Sequence, residues 1–81
     1  MRRTLIVKDP KAKIYYRDTA LEVVSLDGSF VIGFEQIKEL YLHQDISVDI
    51  KTVLQIARHV SVTLIDKRGY FQGEVNYVGK R

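Results

Sequence analysis

The sequence predicts a mainly β domain with one short helix, of the α+β class. It should hold about seven short strands in two small packed sheets, with an amphipathic helix near residues 49–59. Three observations carry this expectation. Short β-branched or aromatic stretches with period-two alternation recur between turn signals. A single segment breaks to helical spacing, with Ile50, Val53, Leu54, Ala57 and Val60 as its apolar face. Glycine turns punctuate the chain at Asp27-Gly28 and at Asp66-Lys67-Arg68-Gly69.

In chain order, the first strand is expected over residues 2–7 and is broken by Asp9-Pro10, because proline cannot donate to a ladder. Residues 13–17 form a second strand carrying Tyr15 and Tyr16, with a turn near Asp18-Thr19. Residues 20–26 and 29–32 form a hairpin around Asp27-Gly28, a pair suited to a type I′ turn. Residues 33–37 make a turn or one helical turn. Residues 39–43 form a strand with Leu40 and Leu42 on one side, Tyr41 and His43 on the other.

Asp49 can cap the helix, since its carboxylate accepts from first-turn amides. Arg58 and His59 stand at the other end, where the dipole favours cations. Val60, Val62 and Leu64 then alternate with Ser61, Thr63 and Ile65 as a strand. Gly69 turns the chain, and a last strand runs over residues 70–78, interrupted at Gly73. One helix cannot cover both faces of so many strands, which is why two sheets are expected to pack on each other. Their edges invite pairing with another chain.

The 81 residues suit a single domain, and a chain this small buries only about 60% of its unfolded surface. Without cysteine there is neither disulfide nor thiolate chemistry. No apolar run approaches the roughly 20 residues of a membrane span, and Leu5 to Val7 is too short for a signal-peptide core, so a soluble intracellular protein with no membrane association is expected. The net charge of +3 is unevenly spread: residues 1–17 carry +5, residues 18–49 carry −6 and residues 50–81 carry +4. The chain ends could share a basic, phosphate-facing surface, or the strands could simply solvate their outer faces.

No catalytic constellation emerges. His43 and His59 lack metal-ligand spacing and read as structural or surface residues. Glu35 and Glu39 fall at i, i+4, but across an expected turn, and the serines have no nucleophile-elbow setting. Residues 73–80 imitate a phosphate loop with the wrong spacing. Among five tyrosines, Tyr15, Tyr16 and Tyr70 lie near cations and could stack on bases if exposed. The residues alone give a small basic β-rich domain that binds rather than catalyses.

Taken as an ordered set, several segments resemble the N-terminal β domain of the CRISPR spacer-acquisition integrase, the Cas protein numbered one. They are Arg2-Arg3-Thr4-Leu5, Ala20-Leu21-Glu22-Val23 before Asp27-Gly28, Phe34-Glu35-Gln36-Ile37-Lys38-Glu39-Leu40, Ile46-Ser47-Val48, and above all Leu64-Ile65-Asp66-Lys67-Arg68-Gly69-Tyr70-Phe71-Gln72-Gly73. The match covers essentially the whole chain. It departs at His59-Val60-Ser61-Val62, where the family commonly has Gly, an apolar residue and Pro. It also departs in length, because family members continue into a helical C-terminal domain.

The resemblance implies that residues 1–81 are the N-terminal part of a longer protein whose catalytic domain is absent here. The parent resembles a metal-dependent DNA endonuclease and integrase of antiviral CRISPR systems, working in the prokaryotic cytoplasm. This domain would act as a dimerisation scaffold, inactive by itself. The implied partners are a second copy, the small Cas protein numbered two, and DNA, the last two through the parent. No catalytic or metal-binding residue carries over. No cofactor is expected in this chain, and a divalent cation, Mg or Mn, is expected in the parent. The DNA-contact candidates are Lys67, Arg68, Arg2 and Arg3, and the structural turn residues are Asp27, Gly28, Gly69 and Gly73. A stand-alone nucleic-acid-binding domain and a protein-interaction module are the alternatives.

Overall fold

The computed structural model describes residues 2–75. Seven strands run in the order β1 (Arg3–Val7), β2 (Lys13–Arg17), β3 (Ala20–Ser25), β4 (Gly28–Gly33), β5 (Ile37–His43), β6 (Val62–Ile65) and β7 (Phe71–Val75). A single 3-10 turn (Phe34–Gln36) joins β4 to β5, and helix α1 (Ile50–Ala57) lies between β5 and β6. The expected mainly β architecture, in two packed sheets with one helix, is what the chain adopts.

The larger sheet has the order β1-β5-β6-β7, and the smaller has the order β2-β3-β4. β1 pairs with β5, and β5 with β6, in parallel; β7 returns antiparallel. Parallel neighbours cannot be joined by a tight turn and need a crossover. The first crossover here is the smaller sheet itself, which occupies the chain between β1 and β5. The second contains α1. Both crossovers cover the larger sheet, and α1 touches β2 of one sheet and β7 of the other. The mixed topology is therefore what places a sheet and a helix over one common core.

Alternation builds that core. Leu5 and Val7 pair with Leu40 and Leu42, which pair in turn with Val62 and Leu64, giving the larger sheet a continuous apolar inner face. Ile14, Leu21 and Val23 face it from the smaller sheet. Leu21, Leu40, Leu42, Ile56 and Val62 are fully buried. Each such side chain contributes about 1.5–3 kcal/mol relative to exposure.

Three local expectations need correction. The helix buries Ile56, Ala57 and, just beyond its end, Val60, with Val53 half-buried, while Ile50 is 76% and Leu54 44% exposed. Two apolar stripes overlap in this helix and share positions 53 and 57; packing selected the one containing Ile56. The β3–β4 connection is not type I′, which needs positive φ at both central residues. Ser25 pairs with Gly28, so the central residues are Leu26 and Asp27, and only Gly28 has positive φ, at 131°. Gly73 makes no turn. It pairs with Leu64 inside β7, beside a register shift that skips Gln72. Residues 76–78 of the expected last strand lie outside the described residues.

The other turns follow their residues. Asp49 accepts from the Thr52 amide at 2.9 Å and caps α1 as expected, and this bond holds its carboxyl below the usual carboxylate range. Gly69 has φ +89°, a left-handed conformation that glycine takes without steric cost. Asp18 takes φ 64° in the β2–β3 turn, where the Thr19 amide reaches back to the Arg17 carbonyl at 2.7 Å.

Candidate functional site

Polar and aromatic side chains gather at the two opposite ends of the larger sheet. The first group follows β6. Asp66 is buried, and its Oδ1 accepts from the backbone amides of Arg68 (2.9 Å) and Tyr70 (3.0 Å). Its Oδ2 accepts from Arg68 Nη2 (2.9 Å), Arg68 Nε (3.2 Å) and Gln72 Nε2 (3.4 Å). A carboxylate has about four lone-pair sites, so Asp66 is satisfied by this turn alone. The Arg68 side chain, opposed by desolvation and helped by the two amides, holds the Asp66 carboxyl below the usual carboxylate range. The Arg68 guanidinium also lies 4.7 Å from the Tyr70 ring centroid. Lys67 stands exposed at the tip, with Tyr70 and Phe71 exposed beside it.

A cleft at this end is lined by His43, Gln44, Asp45, Asp66, Lys67 and Arg68. His43 is buried, and its Nδ1 accepts from the Asp45 amide at 3.0 Å, which places the ring proton of the neutral form on Nε2. Among the described residues no three His, Asp or Glu side chains are placed to share a cation. Asp66, the buried acid, already has both oxygens engaged. The described residues therefore do not fit the divalent metal implied for the parent.

The second group lies at the start of β1 and β5. His59 stacks on Phe34 with centroids 4.4 Å apart and planes 6° apart, and its Nε2 meets Tyr16 Oη at 3.2 Å. Tyr16 closes the cluster at 5.7 Å from Phe34. These three side chains tie the end of α1 to β2 and to the 3-10 turn. Arg2 lines the adjoining cleft with Thr19, Phe34, Glu35, Ile37 and His59. Sequence reasoning missed this cluster, because its members are spread over more than 40 positions and no local spacing links them.

The four basic candidates thus fall into two places. Arg3 pairs with Ile37 at the start of β5, while Lys67 and Arg68 follow Ile65, which pairs with His43 at its end. Six strand steps separate those levels, roughly 20 Å. The expected single basic face is not formed by these residues. Arg2 and Arg3 are exposed at one end, Lys67 is exposed at the other, and Arg68 is held by Asp66. Of the turn residues, Asp27 and Gly28 shape the β3–β4 connection, Gly69 shapes the Asp66 turn, and Gly73 lies in a strand.

The fold is one found in Cas1 proteins. The chain superposes with TM-score 0.77 and 19% identity on a chain of a partial Cas6-RT-Cas1–Cas2 complex, covering 96% of this chain and 24% of that one. It superposes with TM-score 0.74 and 8% identity on a CAS1 protein from Thermotoga maritima, covering 93% of this chain and 25% of that one. The chain spans about a quarter of the length of each, and at these identities the likeness is one of fold. No protein-family model matches the sequence, and no curated relative matches it.

Proposed function

We propose that this chain is the β-rich scaffold domain of a Cas1-type spacer-acquisition integrase. The carrying observation is that 96% of it superposes on about a quarter of a chain from a Cas-protein assembly, in agreement with the ordered sequence resemblance. The domain would form a homodimer, join the Cas2-type partner through the parent protein, and present part of the surface that DNA crosses. Lys67 at one end, and Arg2 and Arg3 at the other, are the proposed phosphate contacts. Because these ends are roughly 20 Å apart, a duplex would have to lie along the sheet to meet both. Arg68 positions the turn through Asp66 rather than offering a free charge. The divalent metal and the strand-joining chemistry would belong to other parts of the parent.

The test is intact mass of the native protein from its source, followed by a DNA-joining assay with and without Mg or Mn. A longer chain that joins a labelled duplex to a second DNA in a metal-dependent way is the expected result. A native protein of 81 residues that neither joins DNA nor associates with a Cas2-type protein would overturn the reading.

A further inference from the structure

We infer that β4 is a self-pairing edge at which two copies of this chain join their smaller sheets. The inference rests on the homodimer in the function proposed above and names its surface.

Among the described residues, the edge strands are β1 and β7 of the larger sheet and β2 and β4 of the smaller. Edges are ordinarily protected by charges, prolines or bulges. β1 begins at Arg3, β2 has Lys13 and Arg17 at its ends, and β7 carries Glu74 and the register shift beside Gly73. β4 has none of these. Its six residues, Gly28-Ser29-Phe30-Val31-Ile32-Gly33, are uncharged throughout.

Both faces of β4 also leave apolar surface open. Phe30 and Ile32 are on the inner side, opposite the buried Val23 and Leu21. Phe30 is nonetheless 45% exposed, because the strand overhangs the seam lined by Arg3, Leu5 and Gln36. Val31 is on the outer side, opposite Glu22, and is 62% exposed.

This chemistry suits a second copy better than a different partner. When a strand pairs antiparallel with itself about a two-fold axis, each side chain near the axis meets its own kind. A charge there would face the same charge, which is destabilising. A six-residue edge without charge avoids that penalty, and it offers no charge by which an unlike partner could be selected.

The pleat then sets the register. Inner residues must face inner residues, so Val31 lies opposite the partner's Val31 and Phe30 opposite the partner's Ile32. The two three-stranded sheets become one continuous sheet. A single short edge buries less than the roughly 1,200–2,000 Å² of a stable interface, so the dimer is concentration-dependent.

Sedimentation velocity across a concentration series tests this on the wild-type chain, Val31→Lys, Val31→Glu and an equimolar mixture of the two variants. The exposed side chain should tolerate either change, as far-UV circular dichroism and melting would show. Each variant alone should weaken the dimer at least about tenfold through facing like charges, and the mixture should restore it through opposite charges. If either folded variant dimerises like the wild type, the β4 edge is wrong and the scaffold reading still stands. A wild-type chain that stays monomeric to millimolar concentration overturns both the edge and the homodimer. If β4 is protected only when a different protein is added, the edge belongs to that protein and the second-copy inference is overturned.

Discussion

The two sheets share one core but are finished differently. The larger sheet lies under both crossovers, the smaller sheet and α1, and its outer strands carry Arg3, Glu74 and a register shift. Its central strand β5 buries Leu40 and Leu42, and even His43 on the opposite face is buried beneath the segment that leads to α1. The smaller sheet buries one face only. Its outer row of Tyr15, Glu22 and Val31 faces solvent or is half-buried, and its β4 edge carries no charge. Burial decides where stability resides, whereas an unguarded edge decides where association can occur. In this chain the two properties fall on different sheets.

The contrast is sharpest at the centre of the larger sheet. Leu40→Ala and Ile56→Ala should each cost about 2–5 kcal/mol in denaturant unfolding, because both side chains are fully buried and leave cavities. A loss well under this range at Leu40 would mean that β5 is not the core strand.

Next in size is Gly69→Val. No atom lies within 4 Å of the added Cβ, so the expected cost of about 1–3 kcal/mol is backbone strain at φ +89°. Gly73→Ala is the control. Its φ is not positive and its Cβ would also meet open space, so unfolding should shift by no more than about 0.5 kcal/mol. Equal effects at the two glycines would contradict the assignment of one to a turn and the other to a strand.

A smaller effect comes from acid. The folded-state pKa of Asp66 is lowered, so its contribution to stability is fully present above the unfolded value of about 3.9. It is lost as pH falls through the lowered folded value. Thermal melts from neutral pH down to pH 3 should therefore fall less steeply for Asp66→Asn than for the wild type, with the variant less stable at neutral pH. Parallel pH profiles would show that the Asp66 turn has no such linkage. The smallest change is expected at Leu54→Ala, under about 1 kcal/mol, since that side chain is 44% exposed. A core-sized loss there would restore the helix face that the sequence favoured.

That helix face illustrates why part of the fold was legible in the sequence and part was not. Strand positions follow from alternation and turn chemistry, both local, so β2 matches its expected limits at residues 13–17 and the others fall within a few residues of theirs. Asp49 was legible as a cap for the same reason. The rotation of α1 was not, because residues 50, 53, 54 and 57 and residues 53, 56, 57 and 60 are both valid apolar stripes, and only the opposing sheets select between them. Parallel pairing of β1, β5 and β6 depends on crossovers that leave no local pattern. The Tyr16–Phe34–His59 cluster is equally non-local. The candidate basic residues were legible as charges, but their separation by the length of β5 was not. Nor could the sequence show that Arg68 would be claimed by Asp66, since an Asp two residues before an Arg is common in turns.

Amide hydrogen exchange of the wild-type chain, followed as a function of protein concentration, tests the division between the two sheets most directly. The account predicts that β5 amides are protected at every concentration, while the outward amides of β4 exchange rapidly in dilute solution and slow as concentration rises. If β4 is as protected as β5 in dilute solution, or if its exchange is unaffected by concentration, the smaller sheet is not the associating half of the molecule.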